Sequence, residues 1–284
     1  MKFGQFEIRT FVESNFRLDG GTMFGIIPKS MWQRLLPADD NNLIPMAANL
    51  FVLSAHGKNM IFDVGLGDTL SDREKKIYGT DGQSNLDRGL ASLGLSAEKI
   101  DYVILTHLHT DHCGGAVKRV DGQYVPRFSN AKYIIEKKEW EAALKPDERT
   151  SAVYIPERLT PIKEAGQLEL IEGSTELFPG IKAAFTGGHS VGHYALEMES
   201  EGEQVWYYAD IFPMTQHIRV PFIPATDVFP LTSMEVKRRT LPRLINKKVI
   251  LAFDHDTRIT FGRVKELEGK ASVEPVQTEA VKSR

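Results

Sequence analysis

Tyr102-Val103-Ile104-Leu105 runs directly into Thr106-His107-Leu108-His109-Thr110-Asp111-His112-Cys113-Gly114-Gly115. The first four residues have the pattern of a short buried strand, so the histidines that follow sit just beyond a strand end. His107, His109, Asp111 and His112 place four groups able to ligate a divalent metal within six residues. Imidazole nitrogen and carboxylate oxygen suit zinc, cobalt, manganese or iron. Residues two apart converge only where the backbone is extended or turning, as in a loop after a strand, and Gly114-Gly115 lets the chain turn tightly afterwards. A lone histidine is most often a surface or hydrogen-bonded residue. A core that buried this many polar groups without a ligand would carry a large desolvation cost, so the cluster points to a metal.

Working outward, residues 5–13, 49–54 and 59–63 read as strands, the last two joined by the turn Ala55-His56-Gly57-Lys58. Between them, residues 20–29 and the run ending Asp39-Asp40-Asn41-Asn42 hold too many breakers for one element; their large apolar side chains either line a pocket or pack. Ser84 is the expected N-cap of a helix that carries Leu86, Leu90 and Leu93 on one face and stops at Gly94. Downstream, 132–136 reads as a strand and 137–144 as a helix, with further strands at 167–171, 181–186, 194–198, 204–209 and 248–253. About the last 20 residues are polar and are expected to fray. Strands mixed with helices, without strict βαβ alternation, predict an α+β or layered α/β fold, in one domain spanning residues 1–284. No internal repeat is legible, although the two halves have similar strand content.

Composition narrows the function. At 284 residues and 42% hydrophobic, the chain can bury a sizeable core. Thirty-five basic against 38 acidic residues leave a net charge of −3, which provides no field for nucleic acid or an anionic membrane. The run Lys237-Arg238-Arg239 reads as a solvated helix face. Cys113, the one cysteine, excludes an internal disulfide and a Cys-rich zinc module; it reads as a small buried side chain rather than a reactive thiol. No stretch approaches the roughly 20 apolar residues that span a bilayer, and the N-terminal residues hold no apolar run of signal-peptide length. The expectation is a cytoplasmic protein acting on a small molecule, with its assembly left open, a homodimer included.

The run from Thr106 to Gly115 resembles the signature of the metallo-β-lactamase superfamily. Other pieces of that pattern occur in order: Phe62-Asp63-Val64-Gly65, Gly187-Gly188-His189-Ser190-Val191-Gly192-His193, Ala209-Asp210, and Phe253-Asp254-His255-Asp256. The resemblance implies a four-layer αββα sandwich holding two divalent metal ions, zinc first, with cobalt, manganese and iron also compatible. It implies that His107, His109 and His189 hold the first metal, that Asp111, His112 and His255 hold the second, and that Asp210 bridges them. The spacing agrees: 77 residues separate His112 from His189, 21 separate His189 from Asp210, and 45 separate Asp210 from His255, so each later ligand follows a different predicted strand. Asp63 reads as a hydrogen-bonding residue, and His193 as a support rather than a ligand.

Two cations a few ångströms apart lower the pKa of a shared water and polarise a carbonyl or phosphoryl oxygen. With no G-x-S-x-G elbow and no Cys-based dyad, hydroxide is the expected nucleophile. Asp111 would orient it or carry a proton to the leaving group, so Asp111 and Asp210 are the candidate catalytic residues. The expected reaction is hydrolysis of a lactone, ester, thioester or phosphotriester. Ligand order and the Asp-His-Asp ending are similar to the acyl-homoserine lactonases and organophosphate hydrolases. The lactonases carry a tyrosine three residues after the bridging aspartate, where this chain has Pro213. His217 and Arg219 are placed to face either substrate or the surface. Met23, Phe24, Ile26, Trp32, Phe212, Phe222 and Phe229 are candidates for an apolar pocket or ordinary core. The alternatives are a mononuclear iron redox enzyme on the same scaffold and a metal-containing binding protein without catalysis.

Overall fold

The computed structural model describes residues 1–267 and 269–277. One sheet contains β1 (Lys2–Phe3), β2 (Phe6–Asp19), β3 (Leu43–Ala55), β4 (Lys58–Phe62) and β5 (Tyr102–Ile104). Past a separate hairpin of β6 (Val117–Val120) and β7 (Gln123–Pro126), it is completed by β8 (Lys132–Glu136) and β9 (Leu168–Ile171). The other sheet contains β10 (Thr175–Phe178), β11 (Ile181–Phe185), β12 (Tyr194–Ser200), β13 (Glu203–Tyr207), β14 (Ile250–Ala252), β15 (Phe261–Leu267) and β16 (Lys270–Pro275). Strands lie in chain order in both. The α-helices are α1 (Gly20–Phe24), α2 (Lys29–Trp32), α3 (Asp72–Ile77), α4 (Leu86–Ser92), α5 (Thr110–Cys113), α6 (Lys137–Leu144), α7 (Pro156–Glu164) and α8 (Pro230–Asn246).

The layering follows from β3, which is apolar from Leu50 to Leu53 because both of its faces are covered. Successive strand residues point to opposite faces. Leu50 and Val52 therefore join Leu86 and Leu90 of α4, Trp140 of α6 and Leu159 of α7 in one core. Phe51 and Leu53 face the other way, onto Leu196, Val205 and Tyr207 of the second sheet. Beyond that sheet, Val236, Leu241 and Leu244 of α8 pack on Trp206, Leu251 and Val264. Three apolar seams make four layers, helix, sheet, sheet and helix, as expected from the sequence. The β3–β4 hairpin closes through His56 and Gly57, both at positive φ (53° and 70°), the two-residue turn whose twist matches the strands.

Several expectations change. β2 runs on to Asp19, with a register shift between Val12 and Ser14. This bulge leaves Glu13 buried and accepting from the Leu66 and Gly67 amides. α4 starts at Leu86, with Ser84 Oγ accepting from the Leu86 amide rather than serving as its N-cap. The polar C-terminal stretch enters the sheet, since β16 pairs with β15 from Leu267↔Lys270 to Gly262↔Pro275; residues 278–284 lie outside the described residues. Lys237 is not on a solvated face. It is fully buried, donates to the Phe222 carbonyl at 2.5 Å and lies 5.5 Å from the Phe212 ring centroid, whereas Arg238 and Arg239 are exposed. Among the described residues no helix is long and apolar enough to cross a membrane.

Candidate metal centre

The segments that follow β5, β11, β13 and β14 bring His107, His109, His112, His189, Asp210 and His255 together. β5 delivers the chain to His107 and His109, and the single turn of α5 brings Asp111 and His112 back beside them, with the His112 amide donating to the His109 carbonyl at 3.0 Å. In a first group, His189 Nε2 lies 3.0 Å from both His109 Nδ1 and Asp210 Oδ2, and His107 Nε2 lies 4.0 Å from Asp210 Oδ2. In a second, His112 Nε2 is 3.2 Å from His255 Nε2 and 3.4 Å from Asp210 Oδ1, with His255 Nε2 3.3 Å from that oxygen. Asp111 Oδ2 stands 3.7 Å from His255 Nε2 and 4.0 Å from His112 Nε2. Asp210 thus turns one oxygen toward each group.

These separations suit metal ions. Ligand atoms about 2.0–2.1 Å from a tetrahedral metal are about 3.3 Å apart. His107 Nε2 and Asp210 Oδ1 are buried without a hydrogen-bond partner, and pairs of imidazole nitrogens face each other at hydrogen-bond distance. A cation held in each group would satisfy these atoms. Asp254 also falls within the second group. Its Oδ2 lies on the Nδ1 side of His112, at 3.8 Å, and accepts from the Tyr207 hydroxyl at 3.1 Å. Asp254 Oδ2 also lies 3.8 Å from His255 Nε2, beside Asp111 Oδ2 at 3.7 Å, so both carboxylates stand within reach of the second group.

The other ring nitrogens are held from outside. His112 Nδ1 donates to Asp63 Oδ2 at 3.0 Å, His189 Nδ1 to Asp227 Oδ1 at 2.8 Å and His255 Nδ1 to the Ala47 carbonyl at 2.9 Å. Each contact fixes the tautomer that leaves Nε2 facing the centre. Asp63 has the hydrogen-bonding role read from the sequence, since it also accepts from the Thr106 amide and hydroxyl and from the Tyr207 hydroxyl. The loops are clamped by Glu139, whose Oε1 accepts from the Leu108 amide and Tyr154 hydroxyl while Oε2 accepts from the Ser190 hydroxyl and Gly192 amide. Glu139, Asp227 and Tyr207 were missed in the sequence because each acts on residues distant along the chain and carries no local motif.

Charge divides the histidines. Burial, reinforced by neighbouring imidazoles, holds His107 and His109 well below the usual histidine range. Burial opposes protonation of His189 and His255 as well, but the Asp210 and Asp227 carboxylates outweigh it at His189, raising it to about 10, and Asp254 and Asp210 raise His255 to about 9. Burial pushes the Asp254 carboxyl up to about 6. Cys113 donates to the Leu108 carbonyl, and burial pushes its thiol up to about 12, which agrees with a small inert side chain. His193 packs its ring 5.1 Å from that of His107 and 5.8 Å from that of His189, with its Nδ1 at 2.6 Å from the Thr186 hydroxyl and its Nε2 buried without a hydrogen-bond partner.

The centre opens into a cavity of about 190 Å³ reached by His109, Asp111, Asp210 and His255. Of the apolar candidates, Met23 lines it; Phe24, Trp32, Phe212 and Phe222 are core, while Ile26 and Phe229 are exposed. His217 does not face substrate, since its Nε2 donates to the Met23 carbonyl, and Arg219 lies 5.3 Å from the Phe222 ring centroid. Pro213 accepts the His255 amide at its carbonyl, 3.0 Å away.

Layers and site together define the class, a metal-dependent hydrolase. The family model of the metallo-beta-lactamase superfamily matches residues 43–255, and the chain belongs to that superfamily. Among its relatives, the N-acyl homoserine lactonase of Bacillus cereus is 28% identical over 228 residues, covering 76% of this chain and 83% of that protein. Among known structures, a probable metal-dependent hydrolase from Staphylococcus aureus superposes with a TM-score of 0.91 at 30% identity, over 99% of both chains. AidC, a dizinc quorum-quenching lactonase, shares the fold with a TM-score of 0.80 at 20% identity, over 98% of this chain and 97% of its own.

Proposed function

We propose that this chain hydrolyses a small-molecule lactone or related ester, using two metal ions, zinc by preference. His107, His109 and His189 would hold one, Asp111, His112 and His255 the other, and Asp210 both. The observation that carries this reading is the pair of Asp210 oxygens, Oδ2 at 3.0 Å from His189 Nε2 and Oδ1 at 3.3 Å from His255 Nε2. When bound, such a pair supplies Lewis acidity to a carbonyl oxygen and lowers the pKa of water.

The chain's own residues supply the rest. Leu18, Met23, Leu43, Met46 and Ile77 give the cavity an apolar wall opposite the ligands, which suits a neutral acyl group and excludes bulk water from it. Asp111 reaches the cavity with its carboxylate and carries the proton from the attacking water to the leaving oxygen. Pro213 has no side-chain donor for that oxygen, whereas Asp111 lines the cavity together with the hydroxyl-bearing Thr22, Tyr78 and Thr226. The lactonase names of the relatives support a cyclic ester as the substrate class.

The test is metal content per chain on protein purified without added metal, with the same sample assayed against lactones, thioesters, phosphotriesters and β-lactams. About two zinc, cobalt or manganese ions, with lactone hydrolysis lost in Asp210→Ala, is the expected result. A single iron and no hydrolysis would overturn it.

A further inference from the structure

Residues 145–155, between α6 and α7, run beside the cavity and are tied to it at two points. At the far end, the Val153 carbonyl accepts from the Thr110 hydroxyl at 3.1 Å, next to the ligand His109, and Val153 itself lines the cavity. At the near end, Asp147 Oδ1 accepts from the Arg149 amide, the Thr150 amide and the Thr150 hydroxyl at 2.8–3.0 Å. This folds Pro146-Asp147-Glu148-Arg149-Thr150 into a tight turn and aims Arg149 outward from it.

Arg149 Nη2 reaches the Ala225 carbonyl at 2.6 Å and the Asp227 carbonyl at 3.1 Å. Those carbonyls flank Thr226, which lines the cavity from another part of the chain. The Ala225 amide in turn donates at 2.7 Å to the carbonyl of Thr22, a further lining residue. One guanidinium therefore holds two wall segments together, grasping the Thr226 segment on both sides. A surface arginine that merely paired with a carboxylate would have no such geometric consequence.

We propose that Arg149 is a specificity-determining latch: by holding the Thr226 segment to the Val153 segment it sets the width of the cavity on the His109 side, and so the bulk of the substrate group admitted there. The proposal rests on the hydrolase reading of the same cavity. A substrate that fits is enclosed by both walls; one with an added branch has to part them, and that costs the two hydrogen bonds.

The test measures binding, which does not depend on turnover. The probes are γ-lactams carrying progressively bulkier substituents, which keep a lactone's shape and resist hydrolysis, applied to the metal-loaded protein. In Arg149→Ala the affinity for the bulkiest probe relative to the smallest rises about ten-fold over the unsubstituted protein. Arg149→Lys, with a single ammonium, gives a smaller rise, and Glu148→Ala on the same turn gives none. Hydrogen exchange at residues 145–155 and 222–229 accelerates in Arg149→Ala and not in Glu148→Ala. An unchanged affinity ratio overturns the latch, whether or not exchange accelerates. Lactone turnover by the unsubstituted protein separately tests the hydrolase reading, so a selectivity shift without turnover would retain the latch and reject the lactonase.

Discussion

The Ser190 hydroxyl donates to Glu139 Oε2 at 2.6 Å, across 51 residues of sequence. The other oxygen of the same carboxylate accepts from the Leu108 amide, so one buried side chain of α6 fixes both the loop of His107 and His109 and the loop of His189. Glu139→Gln turns an amide NH₂ toward at least one donor and leaves it unsatisfied. The expected loss is about 2–3 kcal/mol in urea unfolding, against about 1 kcal/mol for Ser190→Ala. Equal and small losses would mean the clamp contributes nothing.

Asp227 is the outer partner of His189, and its second oxygen accepts from the Ser233 hydroxyl of α8. Asp227→Ala frees the His189 ring to turn and removes the charge that makes it a good donor. Metal affinity, read by competition with a chromogenic chelator, is expected to fall about 10–100-fold. Asp227→Asn keeps an acceptor oxygen and falls less. Unchanged affinity in the alanine variant would refute this role.

Lys237 gives stability a pH dependence. Burial depresses its ammonium from 10.5 to about 7, partly offset by the charge of Asp227; His217, whose own pKa is held at about 3, faces it without competing for a proton at neutral pH. Between pH 7 and 10.5 the unfolded chain holds the Lys237 proton and the folded chain does not, so stability rises with pH across that window and the penalty is fully present below it. Urea titrations at pH 7 and 9 should show a gain about 2 kcal/mol larger in the unsubstituted protein than in Lys237→Met. Parallel gains in the two proteins would show that Lys237 is charged in both states.

Gly188 leaves no room for a side chain. A Cβ there would stand 2.3 Å from Ser233 Oγ and 2.7 Å from the Ser233 amide nitrogen, so Gly188→Ala has to push the His189 loop off α8. Displacing a ligand by a fraction of an ångström is expected to lower kcat/KM at least about 10-fold while the far-ultraviolet spectrum stays unchanged. Full activity would show that the loop has slack.

The proposed ligand residues were legible because most of them lie close together in the sequence. Four of the seven stand between His107 and His112, and a run that dense has few uses besides a metal. The part of β3 from Asn49 to Ser54 and the turn at His56-Gly57 were equally plain. What escaped is carried by residues whose partners are remote: Asp227 answers His189 from 38 residues away and Tyr207 answers Asp63 from 144. Lys237 sits in a basic run, yet its helical position turns it inward while Arg238 and Arg239 turn out. β15 and β16 were lost because Arg263, Lys265, Glu266, Lys270 and Glu274 give them a polar composition. β16, at the edge of the sheet, has a pairing partner on one side only and tolerates such polarity.

The two sheets do not exchange strands. Residues 2–171 complete one and residues 175–275 the other, and the chain passes between them at Gly173, where a Cβ would meet nothing within 4 Å. A cut at that turn would leave two polypeptides, each with a finished sheet and its own helices. Neither fragment would own all of the proposed metal ligands, since His107, His109, Asp111 and His112 go with the first and His189, Asp210 and His255 with the second. On the proposed function, metal capture would then return only when the Phe51 and Leu53 face of one fragment finds the Leu196 and Tyr207 face of the other.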